Sequence, residues 1–289
     1  MKNYFYLFLV LLFSCNSNEL KNDIDQEKIL FDYQKWDFKS YPENSYTWES
    51  EGLFIENISV PEMLLYRAKG ASISDKTMII CPGGGLFFSA YEKEGTKLAE
   101  KLSENGINAI VLKYRLYPRE GSVIKWISDK WENPKMVQDS AKTILPYSSK
   151  DALDAIAHIR SNSTKYGVNG NKIGLMGFSA GGAVTMEATY KSDITNEPNF
   201  IAPIYPWMAI VEDQKVPKSK PPAFIACAND DPLLLAAPSV KIYQEWISVG
   251  ARADLHMFEK GGHGFGMFPK NLPVDSWSDL LVDWILNLE

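Results

Sequence analysis

An alternation of two kinds of segment along the chain constrains the fold more than any other feature. From about residue 54 to the C terminus, short apolar runs of β-strand character alternate with stretches of helical period. Strands that are separated by helices pair in parallel, and the helices cover both faces of their sheet. The first two runs, 54–60 and 63–68, flank Pro61 and predict an antiparallel hairpin. The whole pattern predicts an α/β fold with a mostly parallel sheet of about eight strands, in a single domain.

Length and charge exclude several classes of protein. With 289 residues, the chain can bury about three quarters of its unfolded surface, so it needs neither disulfides nor a metal to hold its core. The formal net charge of −6 argues against a nucleic-acid partner, because the phosphate backbone attracts basic surfaces. Only one long apolar run is present, which excludes a protein with several membrane spans.

The first fifteen residues have the composition of a targeting segment. Lys2 precedes an apolar run over 4–13, which has the length of a signal-peptide core and is too short to span a bilayer. Ser14 and Cys15 then resemble the lipobox of bacterial lipoproteins, in which the cysteine is acylated. We therefore predict a lipoprotein signal over 1–15, lipidation at Cys15, and an exported protein anchored in the bacterial cell envelope, in the periplasm or at the cell surface. A plain secretory signal with an incidental cysteine is the alternative.

The rest of the chain divides into a lead-in and a main domain. Residues 16–50 begin with polar and acidic residues and continue without a clear period, so they predict a polar tether and an irregular lead-in. Residues 51–289 then form the main domain. Within it, residues 119–146 fit neither the helical nor the strand period. A loop of that length is usually functional, and it predicts a lid or a rim inserted beside a binding site.

The strongest chemical signal is a serine in a glycine-rich turn. The sequence Gly-Phe-Ser-Ala-Gly-Gly at 177–182 follows an apolar strand and precedes a helix. A sharp strand-to-helix turn exposes the serine hydroxyl, and the helix directs its first N–H groups towards any negative charge that forms there. We therefore predict that Ser179 is a nucleophile. A glycine-rich turn without catalytic function is the alternative.

A serine hydroxyl needs a base, and the chain offers three histidines. His158 falls within an amphipathic helix, where a structural role is expected. His256 lies inside a strand-like run and is expected to point into the packing. His263 lies among glycines after the last strand, where the backbone can bring it close to another loop. We predict His263 as the base, with His256 as the second candidate.

The base needs a carboxylate to orient it. In α/β hydrolases the order along the chain is serine, acid, histidine. Two aspartates, Asp230 and Asp231, stand at the carboxyl end of the strand at 222–230, and the carboxyl ends of parallel strands meet at one edge of the sheet. Asp231 is the first choice, and Asp230 would then cap or brace the loop.

A negative charge that develops on a substrate oxygen needs hydrogen-bond donors fixed in advance. The backbone N–H of Ala180 is one candidate. Gly84 and Gly85, after the strand that begins near residue 76, are others, because a backbone without Cβ atoms can approach a substrate closely. The glycine run at 83–85 is not a phosphate-binding loop, because neither the GxxxxGK[S/T] motif nor the GxGxxG motif is present. No His and Cys cluster has metal-ligand spacing either, so we predict neither a metal nor another cofactor.

Four stretches together resemble the α/β-hydrolase superfamily, and more narrowly its dienelactone-hydrolase-like branch with the bacterial acetylxylan and feruloyl esterases. The likeness runs from about residue 57 to the C terminus. The sequence departs from the usual pattern of this family at two places. The stretch 119–146 is longer than usual, and a Leu-Leu-Leu-Ala-Ala run follows the acid. Both lie near the expected rim of the pocket, so they affect which substrate is expected. The four stretches are CPGGGLFF with the following YEKEG (81–95), INAIVLKYRLYP (107–118), KIGLMGFSAGG (172–182) and LHMFEKGGHGFG (255–266).

The resemblance implies a serine esterase that works through an acyl-enzyme on Ser179 and needs no cofactor. The implied substrate is a carbohydrate ester, from which acetyl or other short acyl groups are removed during polysaccharide degradation. A general short-chain carboxylesterase and a feruloyl-type esterase are the alternatives. A peptidase of the prolyl-oligopeptidase kind fits less well because the chain has no room for a gate domain. A non-catalytic binding lipoprotein would have no chemical reason to keep the triad.

Aromatic side chains near the expected pocket could stack on sugar rings. They are predicted as substrate contacts, although tryptophans in such folds are more often core residues. The candidates are Phe87, Tyr114, Trp126, Trp131 and Trp207.

Overall fold

The computed structural model describes residues 26–130, 133–212 and 214–289. In this part of the chain, eleven strands form two sheets. In chain order the strands are β1 (Gln26–Ile29), β2 (Asn44–Trp48), β3 (Gly52–Glu56), β4 (Glu62–Tyr66), β5 (Thr77–Cys81), β6 (Phe88–Ser89), β7 (Asn108–Lys113), β8 (Ile173–Phe178), β9 (Phe200–Ile204), β10 (Ala223–Ala228) and β11 (Ala253–Phe258).

The main sheet has eight strands in the order β1-β4-β7-β5-β8-β9-β10-β11. The strands from β7 to β11 in this order pair in parallel, whereas β1 and β4 run antiparallel at one edge. Every residue of β5 and β8 is buried, so both faces of the sheet are covered, as in other parallel sheets. The prediction of a mostly parallel sheet of about eight strands in a single α/β domain is confirmed.

Helices connect these strands and cover the sheet. The ion pair between Lys101 and Asp279 (2.6 Å) joins the first of them to the last, and the long third helix packs on the fifth. No helix of the described residues is both long enough and apolar enough to cross a bilayer. In the described ranges the α-helices are α1 (Lys97–Glu104), α2 (Val123–Lys130), α3 (Pro134–Ser161), α4 (Ser163–Tyr166), α5 (Ala180–Lys191), α6 (Ala236–Ser248) and α7 (Trp277–Asn287).

The predicted hairpin of 54–60 and 63–68 is wrong, because the two runs belong to different sheets. β3 pairs with β2 and β6 in a small antiparallel sheet, whereas β4 pairs with β1 and β7 in the main sheet. The chain changes direction at Asn57, which has a φ of +58°. The Asn57 side chain donates to the carbonyl of Pro42 (3.3 Å) and accepts from the N–H of Arg119 (3.0 Å). These contacts with distant segments direct the two strands apart.

The lead-in is more ordered than the prediction of an irregular segment up to residue 50. β1 pairs with β4 at the edge of the main sheet, and β2 joins the small sheet. Between them, Tyr33 and Trp36 lie against the guanidinium of Arg115, which also donates to the carbonyl of Gln34 (2.6 Å). The domain therefore takes in the chain from at least residue 26. The predicted signal over 1–15 and Cys15 lie outside the described residues.

Most of the described residues of 119–146 are helical, which differs from the prediction of an aperiodic loop. This segment contains α2 and the first half of α3, a helix of 28 residues. Asn133 caps α3 by accepting from the N–H of Met136, and Pro134 stands in the first turn, where a missing N–H does no harm. Pro146 inside the helix and the polar exposed face hide the helical period in the sequence. We call this segment the helical rim, and its role as a lid or rim beside a binding site stays a prediction.

Candidate active site

Ser179 stands at the turn between the central strand and its helix. β8 ends at Phe178 and α5 begins at Ala180. Ser179 itself has a φ of +51° and a ψ of −114°, a strained conformation of the kind that persists at active sites. Its N–H donates to the carbonyl of Ile204 (3.0 Å), which holds the turn against β9. The side chain is therefore presented at the carboxyl edge of the sheet, as predicted.

His263 connects Ser179 to an aspartate. Its Nε2 lies 3.0 Å from the Oγ of Ser179, and its Nδ1 lies 2.9 Å from Oδ2 of Asp231. In the tautomer that satisfies both contacts, Nδ1–H donates to the carboxylate and Nε2 accepts from the hydroxyl. This arrangement can take the proton of Ser179 and hold the resulting imidazolium against a carboxylate.

The two candidate aspartates have different partners. The side chain of Asp231 is fully buried, and its second oxygen accepts from the N–H of Leu233 (2.8 Å). Asp230 instead accepts from the N–H groups of Gly261 (2.9 Å) and Gly262 (2.7 Å). The bond from Gly262 N–H, followed by that from Gly261, lowers the pKa of Asp230 below its usual value. Asp231 orients the imidazole, and Asp230 braces the loop that carries it.

The other two histidines lie in structural surroundings. His158 hydrogen-bonds the hydroxyl of Tyr166 (2.9 Å). His256, on β11, packs on the ring of Phe224 with 4.6 Å between centroids. Burial lowers the pKa of both imidazoles. Neither contact involves Ser179, so His263 is the histidine that the fold brings to the serine.

The glycine loop follows β5, the strand beside β8 in the sheet. Gly84 has a φ of +132°, and a Cβ there would lie 1.9 Å from the carbonyl oxygen of Phe88, so only glycine fits. Its own carbonyl accepts from the N–H groups of Phe87 (3.0 Å) and Phe88 (3.1 Å). Gly84 and Gly85 therefore form a tight turn at the same sheet edge as Ser179 and Ala180. Their N–H groups stay the predicted donors for an oxyanion.

Sequence reasoning missed a buried carboxyl group beside this loop. Glu94 is only 4% exposed, and it accepts from the N–H of Gly83 (2.8 Å) and the hydroxyl of Tyr205 (2.7 Å). In the sequence it stands among charged residues that are typical of an exposed helix. Only the resemblance of the stretch 91–95 to the family offered a signal that its position matters.

The structure changes the list of predicted aromatic contacts. Phe87 and Tyr114 are each only 1% exposed, and the Tyr114 hydroxyl donates to the carbonyl of Pro82. These two predictions are wrong, because rings enclosed by the core offer no face to a sugar. Trp126 is half-buried, and the Arg119 guanidinium covers its ring at 4.8 Å.

Trp207 lies beside the nucleophile. It is half-buried, and its backbone N–H donates to the carbonyl of Ser179 (2.9 Å). Trp131 lies outside the described residues. Of the five predicted contacts, Trp126 and Trp207 therefore stay predictions, and the Trp126 ring already packs against Arg119.

A surface cavity of about 300 Å³ lies at the helical rim. One wall is the ring of Tyr117, whose N–H donates to the carbonyl of Leu86 (2.8 Å), next to Gly85. The cavity was not predicted, because it lies between the segment after β7 and the start of α3, and the sequence did not predict that part of α3 as a helix. The other lining residues belong to or precede the first turns of α3 and are Asn133, Lys135, Met136, Asp139, Ser140 and Thr143.

Comparisons with known sequences identify a family and two curated relatives. A family model described as the dienelactone hydrolase family matches residues 87–274. An acetylxylan esterase from Xylanibacter ruminicola is 27% identical over 223 residues, which are 67% of this chain and 42% of that protein. Endo-1,4-beta-xylanase B from Butyrivibrio fibrisolvens is 27% identical over 146 residues, 50% of this chain and 18% of that protein. The chain thus spans less than half the length of these curated relatives.

Solved structures share the fold. An acetyl ester-xyloside bifunctional hydrolase from Caldicellulosiruptor lactoaceticus has a TM-score of 0.60 at 24% identity, covering 79% of this chain and 88% of that one. MGS-M1, an alpha/beta hydrolase enzyme from a Medee basin deep-sea metagenome library, has a TM-score of 0.59 at 22% identity, covering 87% of this chain and 100% of that one. These likenesses show the α/β-hydrolase fold. Because the family model covers well over half of its length, the chain belongs to the dienelactone hydrolase family.

Proposed function

We propose that this protein is a serine carboxylic ester hydrolase that removes acetyl or other short acyl groups from carbohydrate esters. One observation carries the proposal, the hydrogen-bonded chain from Ser179 through His263 to Asp231, with contacts of 3.0 and 2.9 Å. A serine hydroxyl is a weak nucleophile unless an oriented base removes its proton. The chain supplies that base, and the strained turn before α5 presents the hydroxyl to a substrate.

The geometry supports acyl transfer in two halves. As the Oγ of Ser179 bonds to the ester carbonyl carbon, its proton passes to Nε2 of His263, and Asp231 stabilises the imidazolium. The N–H groups of Ala180 and of the Gly84–Gly85 turn hold the oxyanion. The intermediate collapses to an acyl-enzyme when the sugar oxygen leaves with the proton from His263. Water then repeats the sequence, releases the acid and restores the serine.

Two observations support a carbohydrate as the alcohol part of the ester. The curated relative from Xylanibacter ruminicola is an acetylxylan esterase. The cavity beside Tyr117 combines an aromatic ring with amide, hydroxyl and charged side chains, and such a mixture suits the apolar face and the hydroxyl groups of a sugar. The backbone N–H of Tyr117 hydrogen-bonds the carbonyl of Leu86, next to the glycine turn. A sugar in the cavity beside Tyr117 could therefore belong to an ester whose carbonyl is held at Ser179.

The proposal is tested with p-nitrophenyl esters of increasing acyl length and with acetylated xylo-oligosaccharides. We expect acetate to be the fastest ester, a steep fall with chain length, release of acetate from the oligosaccharides, and no activity in Ser179→Ala. Equal rates with medium-length acyl chains would favour a general esterase, and preference for methyl ferulate would favour a feruloyl-type enzyme. Hydrolysis that persists in Ser179→Ala, or no hydrolysis of any ester, would contradict the mechanism.

The rim cavity is tested separately. Tyr117→Ala removes the ring that lines it, so we expect KM for acetylated oligosaccharides to rise about tenfold. The kcat/KM for p-nitrophenyl acetate should stay the same, because this ester carries no sugar. Tyr243→Ala, on the distant helix α6, is the matched control. Equal changes on both substrates would place the effect of Tyr117 in the chemistry or the folding instead.

We also propose that the protein is exported and held at the cell envelope by a lipid on Cys15. The lipobox-like Ser14-Cys15 supports this. Full-length protein expressed in a bacterium with radiolabelled palmitate should carry the label in the membrane fraction. Cys15→Ser should lose it, and label that remains in this variant would contradict the assignment.

A further inference from the structure

Glu94 lies in an unusual backbone turn beside the glycine loop. It belongs to a π-helical turn at Glu92–Thr96, directly before α1. The N–H of Thr96 donates to the carbonyl of Tyr91 (2.9 Å), five residues back. Such turns are rare and occur frequently at functional sites. This one places a carboxyl group in the protein interior, where an ionised side chain needs partners to be stable.

Both oxygens of this carboxyl group have partners from other elements. Oε2 accepts from the N–H of Gly83 (2.8 Å), the residue before the predicted oxyanion donors. Gly83 also lies against the nucleophile, because a Cβ placed on it would be 3.2 Å from the Cβ of Ser179. Oε1 accepts from the hydroxyl of Tyr205 (2.7 Å). Glu94 thus holds the glycine loop directly.

Tyr205 extends this contact to the histidine loop. It follows β9 with a φ of +36°, and its hydroxyl oxygen accepts from the N–H of Gly266 (3.2 Å). The edge of its ring meets the His263 imidazole, with 5.2 Å between the centroids. The N–H of Met267 also donates to the carbonyl of Lys93 (3.0 Å). The turn of Glu94 and the loop of His263 are therefore joined at three points.

We propose that Glu94 is a positioning residue for the ester hydrolysis proposed above, on which this inference rests. Its carboxylate holds the glycine loop directly and the His263 loop through Tyr205. Its negative charge also stabilises the imidazolium that forms when His263 takes the proton of Ser179. No atom of Glu94 has to touch the substrate for either effect. This role is separate from that of Asp231, whose carboxylate contacts Nδ1 of His263 directly.

Charged and polar groups from several elements surround this carboxyl group. Tyr114, Tyr205 and His263 face it from other elements, and Lys93 lies on its own turn. Burial raises the pKa of Glu94, while the bond from Tyr205, the charge of His263 and the bond from Gly83 oppose that rise. Asp231 contacts His263 at Nδ1. The negative charge of ionised Glu94 therefore attracts the positive charge that forms on His263 during the reaction.

The test replaces the charge and keeps the shape. In Glu94→Gln the amide can still accept from Gly83, so the loop can keep its place. We expect kcat for p-nitrophenyl acetate to fall about tenfold with KM nearly unchanged. Tyr205→Phe removes the link to Gly266 and keeps the charge of Glu94, so it should also lower kcat and leave KM nearly unchanged.

Glu92→Gln is the matched control. Its carboxylate lies on the same turn and accepts from the N–H of Leu53 (3.0 Å), away from the triad, so kcat should stay as in the wild type. An unchanged kcat in folded Glu94→Gln would overturn the electrostatic role, and an unchanged kcat in folded Tyr205→Phe would overturn the positioning role. Thermal unfolding of each variant shows whether it folds. If wild-type protein hydrolyses no ester, the proposed function fails rather than this inference.

Discussion

Asp230 and Asp231 are neighbours in the chain, yet they act on different atoms of the site. Asp231 is buried and accepts from the imidazole of His263. Asp230 accepts from two backbone N–H groups, those of Gly261 and Gly262. At the scale of single residues, one carboxylate therefore orients the imidazole of His263 and the other holds the loop that carries this histidine.

This division predicts unequal effects for the same substitution. Asp231→Asn should lower kcat by about 10⁴-fold, because an amide no longer stabilises the imidazolium and favours the wrong tautomer. Asp230→Asn should lower kcat far less, because its amide oxygen can still accept from both glycines. Steady-state kinetics with p-nitrophenyl acetate measure both variants. A larger loss in Asp230→Asn would reverse the assignment of the two side chains.

The glycine turn after β5 shows what an element contributes that a single residue cannot. Its backbone packs so closely that a Cβ on Gly84 would lie 1.9 Å from the Phe88 carbonyl oxygen. Glu94 holds this turn by accepting a hydrogen bond from the N–H of Gly83. A change at this point therefore displaces the predicted oxyanion donors as a unit.

We expect Gly84→Ala to lower kcat by about 10²-fold or more, the loss typical of a missing oxyanion donor. Gly70→Ala is the matched control, because Gly70 also has a positive φ (+102°) but no atom within 4 Å of the added Cβ. It should leave kcat unchanged. Rates for p-nitrophenyl acetate and thermal unfolding separate the two causes of loss. A folded Gly84→Ala variant with full activity would show that this turn does not bind the oxyanion.

At the element scale, the sequence predicted most strands and several helices, but not the first half of α3. Runs such as those at 171–179 and 222–230 are continuous and apolar, so the strands β8 and β10 are evident from the sequence alone. In α3 the signal is interrupted by Pro146, and its exposed first turns carry polar residues on most sides. Contacts with distant segments help to hold this part of the helix, and the Gln138 side chain donates to the carbonyl of Ala209 (2.6 Å).

The whole molecule depends on its lead-in. The Arg115 side chain is fully buried with Asp151, at 2.5 Å, and its remaining donors reach the carbonyls of Gln34 and Tyr147. Ile29 and Phe31 also enter the core. Residues before the predicted boundary at 51 therefore complete the interior of the domain.

We predict that protein starting at residue 51 is less stable than protein starting at residue 26. Burial of the Ile29 and Phe31 side chains alone contributes about 3–6 kcal/mol to the free energy of unfolding. The shorter protein should also leave β4 as an exposed edge strand, which promotes aggregation. Urea unfolding followed by tryptophan fluorescence compares the two. Equal midpoints would show that the lead-in does not stabilise the fold.

For the whole molecule, a feature could be predicted from the sequence when it depends on residues close together in the chain, and not when it depends on contacts between distant segments. The order of Ser179, Asp231 and His263 follows from strand ends that share one sheet edge, so local motifs were sufficient. Glu94 could not be predicted, because its burial depends on Gly83, Tyr205 and the histidine loop coming together. The second sheet and the Tyr117 cavity depend on equally distant segments.

The most direct test of the mechanism looks for the covalent intermediate. Protein mixed with p-nitrophenyl acetate is quenched in acid during turnover, digested, and analysed by mass spectrometry. We predict a peptide containing Ser179 that is heavier by one acetyl group, and no such peptide in Ser179→Ala. An acetyl group on another residue, or ester hydrolysis without any acetylated peptide, would contradict the account.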